Sequence, residues 1–198
     1  MIFENGRHTL YDIYIIYIYN SKIDVVTSFK YLGVHLFKNG NWYRTQQRVA
    51  QHASFSLHNL FAVYNNLDLP ISNRIELFDS LILPTINYGA EIWGYHEGPD
   101  VEIIHSKLCR KILGVRRSTN REALYGELGR IPMSVHRKIL IIKYWIRLIT
   151  LNANSLIFKT YNMLKTDTDN ELNYKGYNWA SKVKQILNEH GLGYFCVH

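Results

Sequence analysis

The stretch Phe29-Lys30-Tyr31-Leu32-Gly33-Val34-His35-Leu36 divides the chain into two kinds of sequence. Ahead of it the residues are strand formers; behind it the apolar residues recur at helical spacing. Phe29, Tyr31, Val34 and Leu36 suit a pleated, half-buried surface. Gly33 falls in mid-strand, where glycine marks a bulge or a close approach by another backbone or a ligand. A chain divided in this way is expected to be α+β: a short antiparallel hairpin or sheet at the N-terminus, then an α-helical bundle.

The strand region covers residues 1–40. Met1-Ile2-Phe3 stops at Asn5-Gly6, a strong turn signal. Leu10 to Tyr19 is rich in Ile and Tyr and almost free of charge, and Asn20-Ser21-Lys22 turns it into Ile23 to Thr27. So apolar a strand needs cover on both faces, and self-association through its edge is the expected alternative. Lys38-Asn39-Gly40 closes the region.

Residues 41–150 read as a helical domain and 151–198 as a helical extension. Val49, Ala53, Leu57, Leu60, Phe61 and Tyr64 share one helical face, with Arg44 and Arg48 a turn apart near its start. Asp68-Leu69-Pro70 breaks that helix, and Asn73 with Glu76 offers a capping box for the next. Ile75, Phe78 and Ile82 point inward before Pro84, which splits or kinks the run. A helix after Pro99 places Ile103, Ile104, Leu108 and Ile112 inward and Lys107, Arg110 and Lys111 outward. Thr119 and Glu122 give a second capping box, and Pro132 suits a first helical turn. Val135, Ile139, Ile142, Ile146 and Ile149 then form the expected inward stripe, with His136, Lys143 and Arg147 on another face. Asn152 to Ser155 reads as a linker, Asp167 to Asn173 as a polar loop, and a last helix runs from about Trp179 to Gly191.

Charge is concentrated in one block. The formal net charge is +7, and residues 101–150 hold eleven Lys/Arg against three Asp/Glu. That excess points to a polyanionic partner more strongly than a uniformly basic chain would.

Three separated motifs resemble one family. Phe29 to Val34 after a hairpin looks like the segment that ends the palm of non-LTR (LINE-type) retrotransposon reverse transcriptases. The run Leu77 to Trp93, with Leu83-Pro84, Tyr88-Gly89 and Trp93, resembles that family's thumb, as does Leu128-Gly129-Arg130-Ile131-Pro132. The Trp179 to Gly191-Leu192 ending is similar to the tail downstream of such thumbs. The motifs occur in the family's order. The resemblance implies an RNA-directed DNA polymerase relative that retains the primer grip and thumb. Lys30, Tyr31, Leu32 and Gly33 would then sit at the primer end. Arg44, Lys107, Arg110, Lys111, Arg116, Arg117, Arg121, Arg137, Lys143 and Arg147 would contact phosphates of an RNA–DNA or template–primer duplex.

Catalytic residues are not expected. Polymerisation in this family uses two metal ions held by aspartates, one pair in a Tyr-x-Asp-Asp turn. This sequence has no Asp-Asp, and the resemblance places that turn upstream of Met1. Mg2+ is therefore expected only with the missing palm, and the chain alone is expected to be inactive. Asp167-Thr168-Asp169-Asn170-Glu171 opens like a calcium loop, but Leu172 stands where glycine is needed. Cys109 and Cys196 make neither a disulfide framework nor a zinc quartet. No phosphate loop or nucleophile elbow occurs. No apolar run approaches the ~20 residues of a membrane span, so an intracellular, soluble chain is expected. The alternative reading is a helical protein-interaction scaffold or a non-functional transposon remnant.

Overall fold

The computed structural model describes residues 17–19, 21–22, 24, 26–38, 41–95, 98–169 and 178–196. Two antiparallel pairs precede the helices. β1 (Tyr17–Ile18) pairs with β2 (Ser21–Lys22), and β3 (Ser28–Tyr31) pairs with β4 (Val34–Phe37). Most of the apolar strand expected at Leu10 to Tyr19 lies outside the described residues, and so do Met1 to Gly6.

Gly33 is not in mid-strand. Tyr31 pairs with Val34, so Leu32 and Gly33 form a two-residue turn, both with positive φ (47° and 86°). Positive φ at both turn positions matches the right-handed twist of the flanking strands. Leucine takes this conformation only at a cost.

Helix α1 (Tyr43–Asn66) buries Ala50, Ala53, Leu57, Leu60 and Tyr64 at spacings of three and four. α2 (Ile71–Leu81) starts directly after Pro70, two residues ahead of Asn73, and no side chain caps it; the Asn73–Glu76 box is not used. Pro84 separates α2 from α3 (Leu83–Ile86) and lies in the first turn of α3, where its missing N–H costs nothing. α4 (Ala90–Trp93) follows Gly89. α5 (Pro99–Leu113) ends at Gly114. α6 (Arg121–Leu128) is capped by Asn120, whose side chain accepts from Glu122 N–H at 2.8 Å, so the capping residue is Asn120 rather than Thr119.

α7 (Met133–Ile149) buries Met133, Arg137, Ile141, Trp145 and Leu148. Four of the five residues of the expected stripe are turned outward instead: Val135, Ile139, Ile146 and Ile149 are 39–49% exposed, while Ile142 is half-buried. This helix is apolar on two faces, so its period does not choose between them. Burial of the Trp145 indole, the largest apolar surface on the helix, decides the orientation. α8 (Leu156–Asp169) takes in Asp167 to Asp169, the first residues of the segment read as loop, the rest of which lies outside the described residues. α9 (Trp179–Glu189) is capped by Asn178. A 3-10 turn, Gly193–Cys196, follows.

The helices enclose two main cores. One gathers α1, α2, α3 and α5 around Leu57, Phe78, Ile82, Ile86 and Leu108, with Met133 at its edge. The other packs Ile141, Trp145 and Leu148 of α7 against Tyr161, Val183, Ile186 and Leu187 of α8 and α9. Trp145 Nε1 donates to Tyr161 Oη at 2.8 Å, and Trp179 Nε1 to the Glu91 carbonyl at 2.9 Å. The chain is α+β, a small antiparallel sheet followed by a helical bundle. Among the described residues no helix is long and apolar enough to cross a membrane.

Candidate nucleic-acid interface

The last two turns of α5 carry Lys107, Arg110 and Lys111 at helical spacing, so all three lie along one stripe. Arg110 and Lys111 also offset the negative end of the α5 dipole. The chain then leaves α5 at Gly114 and returns into α6 at Arg121, bringing Arg117 and Arg121 opposite that stripe. These five cations line one groove of about 650 Å3 together with Phe61, Ile103, Ser106, Gly114 and Val115. No carboxylate stands among the lining residues.

Two of the cations are partly held. Arg110 Nη2 donates to the Thr119 carbonyl at 3.1 Å and fixes the α5–α6 connection. Lys111 Nζ donates to Asn65 Oδ1 at 2.8 Å and lies 5.8 Å from the centre of the Phe61 ring. Lys107, Arg117 and Val115 are exposed. Ile103, expected to face inward, is 39% exposed and forms part of the groove instead. The reason is register: Ile104, Leu108 and Ile112 fill the buried face, which leaves the preceding residue at its border.

The other candidate residues are distributed differently. Arg116 is exposed beside the groove without lining it, and Lys143 and Arg147 are exposed on α7. Arg137 is a correction: it is 1% exposed, with Nε donating to the Met133 carbonyl at 3.3 Å. It lies on the buried face of α7, so phosphate cannot reach it from solvent.

Lys30 and Arg44 belong to a second basic patch at the hairpin. Lys30 pairs across from His35, and Arg44 and Arg48 lie 5.6 and 5.8 Å from the centre of the Phe37 ring. Arg48 Nη1 donates to the His35 ring, 2.6 Å from Nδ1. Burial, with the charges of Arg48 and Lys30 added, lowers the His35 pKa below its usual value. At 1.5 Å per residue, Arg44 and Phe61 are about 25 Å apart along α1, so the two patches are separate.

The hairpin tip joins two of the sequence motifs. Tyr88 Oη donates to the Leu32 carbonyl at 2.6 Å. A Cβ on Gly33 would stand 3.2 Å from the Tyr88 ring, and one on Gly89 (φ 69°) 3.1 Å from Val34 Cγ2. Trp93 Nε1 in turn donates to the Tyr88 carbonyl at 3.0 Å. The Tyr31-Leu32-Gly33-Val34 turn and the Tyr88-Gly89 corner are two halves of one contact. Tyr31 and Leu32 remain exposed beside it.

A buried polar network was hidden from sequence reading. Arg130 donates to both Asp79 carboxylate oxygens at 2.7 and 2.6 Å, and through Nε to His105 Nε2 at 3.2 Å. That leaves the His105 proton on Nδ1, 4.0 Å from Glu102 Oε1. Glu102 also accepts from Tyr125 Oη, and from Met133 N–H at 2.9 Å. The His105 ring lies between Phe78 and Tyr125. Burial raises the Glu102 pKa, but the His105 ring, the Tyr125 hydroxyl and the Met133 amide outweigh it and hold the carboxyl below its ordinary value. Burial raises the Tyr125 pKa, and the Glu102 hydrogen bond raises it further. With Glu102 and His105 enclosed, no substrate can reach them, and the network fastens α2, α5, α6 and α7 together. Its one sequence signal is the i,i+3 spacing of Glu102 and His105. Among the described residues no group of three or more His, Cys, Asp or Glu is placed to hold a metal ion.

No family profile matches the chain, and no solved structure matches it. A transposon-derived protein of Caenorhabditis elegans is 33% identical over 73 residues, which is 35% of this chain and 26% of that protein. The match thus spans about a quarter of that relative's length.

Proposed function

We propose that this chain is a nucleic-acid-binding element of transposon origin, equivalent to the primer grip and thumb of a non-LTR reverse transcriptase. The observation that carries the reading is the groove between α5 and α6, where five cations converge with no carboxylate among them. Such a surface holds phosphates through charge, without reading bases. The order of the three motifs supports the family reading, and the similarity to a transposon-derived protein supports the transposon origin. The partner would be a template–primer, with the groove holding phosphates of its paired or its unpaired strand.

A second reading, a protein-interaction scaffold, is favoured by one observation, the outward apolar stripe of α7. Binding measured against salt separates the two. On duplex DNA each neutralised phosphate contributes about −0.9 to the log–log slope, so five contacts give a slope of about −4.5. The double variant Lys107→Glu/Arg117→Glu should flatten that slope by about two contacts, whatever the nucleotide sequence. Lys143→Glu/Arg147→Glu changes the net charge equally and should leave it nearly intact. Equal losses from the two variants would reduce binding to net charge and reject the groove. A chain that binds no nucleic acid at low salt would favour the scaffold.

A further inference from the structure

We infer that the groove between α5 and α6 takes single-stranded nucleic acid in preference to a duplex. This rests on the nucleic-acid reading and adds the form of the ligand. The first argument is size. A groove of about 650 Å3 offers space for one strand, whereas a duplex would meet the same lining only with its outer sugar–phosphate surface. A single strand can enter, with room for about two bases at ~3.4 Å spacing.

The second argument is lining. Phe61 is half-buried, and Ile103 and Val115 are 39% and 38% exposed, so the groove offers apolar surface between its cations. A duplex turns sugars and phosphates outward and keeps its base faces stacked inside, so it would set charge against that apolar surface. A single strand can splay its bases onto Phe61, Ile103 and Val115 while its phosphates meet Lys107, Arg117 and Arg121. Interleaved cations and an aromatic ring are the arrangement that tracks single strands without sequence preference. Lys111, held by Asn65 over the Phe61 ring, sets one side of the stacking position.

The test is fluorescence anisotropy on the full chain with labelled oligothymidylate, oligouridylate and the oligothymidylate–oligoadenylate duplex. The single strands should bind about tenfold tighter than the duplex. Phe61→Leu keeps an apolar side chain against the first core but removes the aromatic face. It should weaken single-strand binding about fivefold or more, the loss of one stacked base, and leave duplex binding unchanged. Val115→Ser, at an exposed position, removes apolar surface without adding charge and should likewise weaken single-strand binding while leaving duplex binding unchanged. Duplex binding as tight as single-strand binding, or single-strand affinity unmoved by both variants in folded protein, overturns the inference and leaves the proposed function standing. Absence of binding to all three probes overturns both.

Discussion

Glu102 joins three helices. It belongs to α5, accepts a hydrogen bond from α6 through Tyr125 and another from the first amide of α7 at Met133. Its pKa is lower in the folded chain than in the unfolded one, so the unfolded state binds the proton more readily in acid. The stability it contributes is therefore complete above its ordinary value of 4.5 and is lost as pH falls through the depressed folded value. His136 adds to the same limb at higher pH. Burial, then Arg130, depresses its pKa below 6.5, so the folded state also loses stability as pH drops beneath that value. Urea midpoints measured across pH should fall in two stages on the acid side. Glu102→Gln should lower the neutral-pH stability by about 1–3 kcal/mol and flatten the stage below pH 4.5. An unchanged acid limb in that variant would remove Glu102 from the account. The pairing of Glu102 with His105 is visible in the sequence as an i,i+3 spacing. Asp79 and Arg130 are 51 residues apart, and nothing local connects them.

At the scale of elements, spacing located most helices but did not orient them all. α1 could be read because its polar and apolar faces are distinct, and Pro84 divides α2 from α3 where its chemistry requires. α7 could not, because apolar residues occupy two of its faces and only the neighbouring helices decide which is covered. The groove was half legible for a related reason. Periodicity turned Lys107, Arg110 and Lys111 outward and the resemblance added Arg117 and Arg121, but Ile103 was counted as core and Val115 and Phe61 were given no role at the surface. Substitution tests the orientation of α7 directly. Ile141→Ala should cost about 2–5 kcal/mol, the range for a large-to-small change in a core. Ile139→Ala should cost well under half of that, because Ile139 is 41% exposed. Thermal denaturation that ranks them the other way would restore the stripe expected from spacing.

At the scale of the molecule, α7 is shared property. Its first residue seals one core and its second half builds the other, so neither core is independent of it. Residues 41–150 and 151–198 are distinct in sequence, yet Ile141, Trp145 and Leu148 of the former are covered by α8 and α9 of the latter. Each such side chain gains about 1.5–3 kcal/mol from burial. A chain ended at residue 152 should melt at a lower temperature than the full chain and bind a hydrophobic dye through the uncovered face. An unaltered melting temperature would show that α7 does not lean on the tail. The hairpin tip has a consequence in the order of folding events. Tyr88 reaches Leu32 across 56 residues, and closing so long a loop costs entropy that the helices, made of local contacts, do not incur. The hairpin should dock last and come away first, an opening unit of its own. In native-state hydrogen exchange the amides of Ser28–Tyr31 and Val34–Phe37 should exchange well before those of α5, and Tyr88→Phe should hasten them alone. Exchange of hairpin and α5 at one common rate would mean that the latch is closed for the life of the fold.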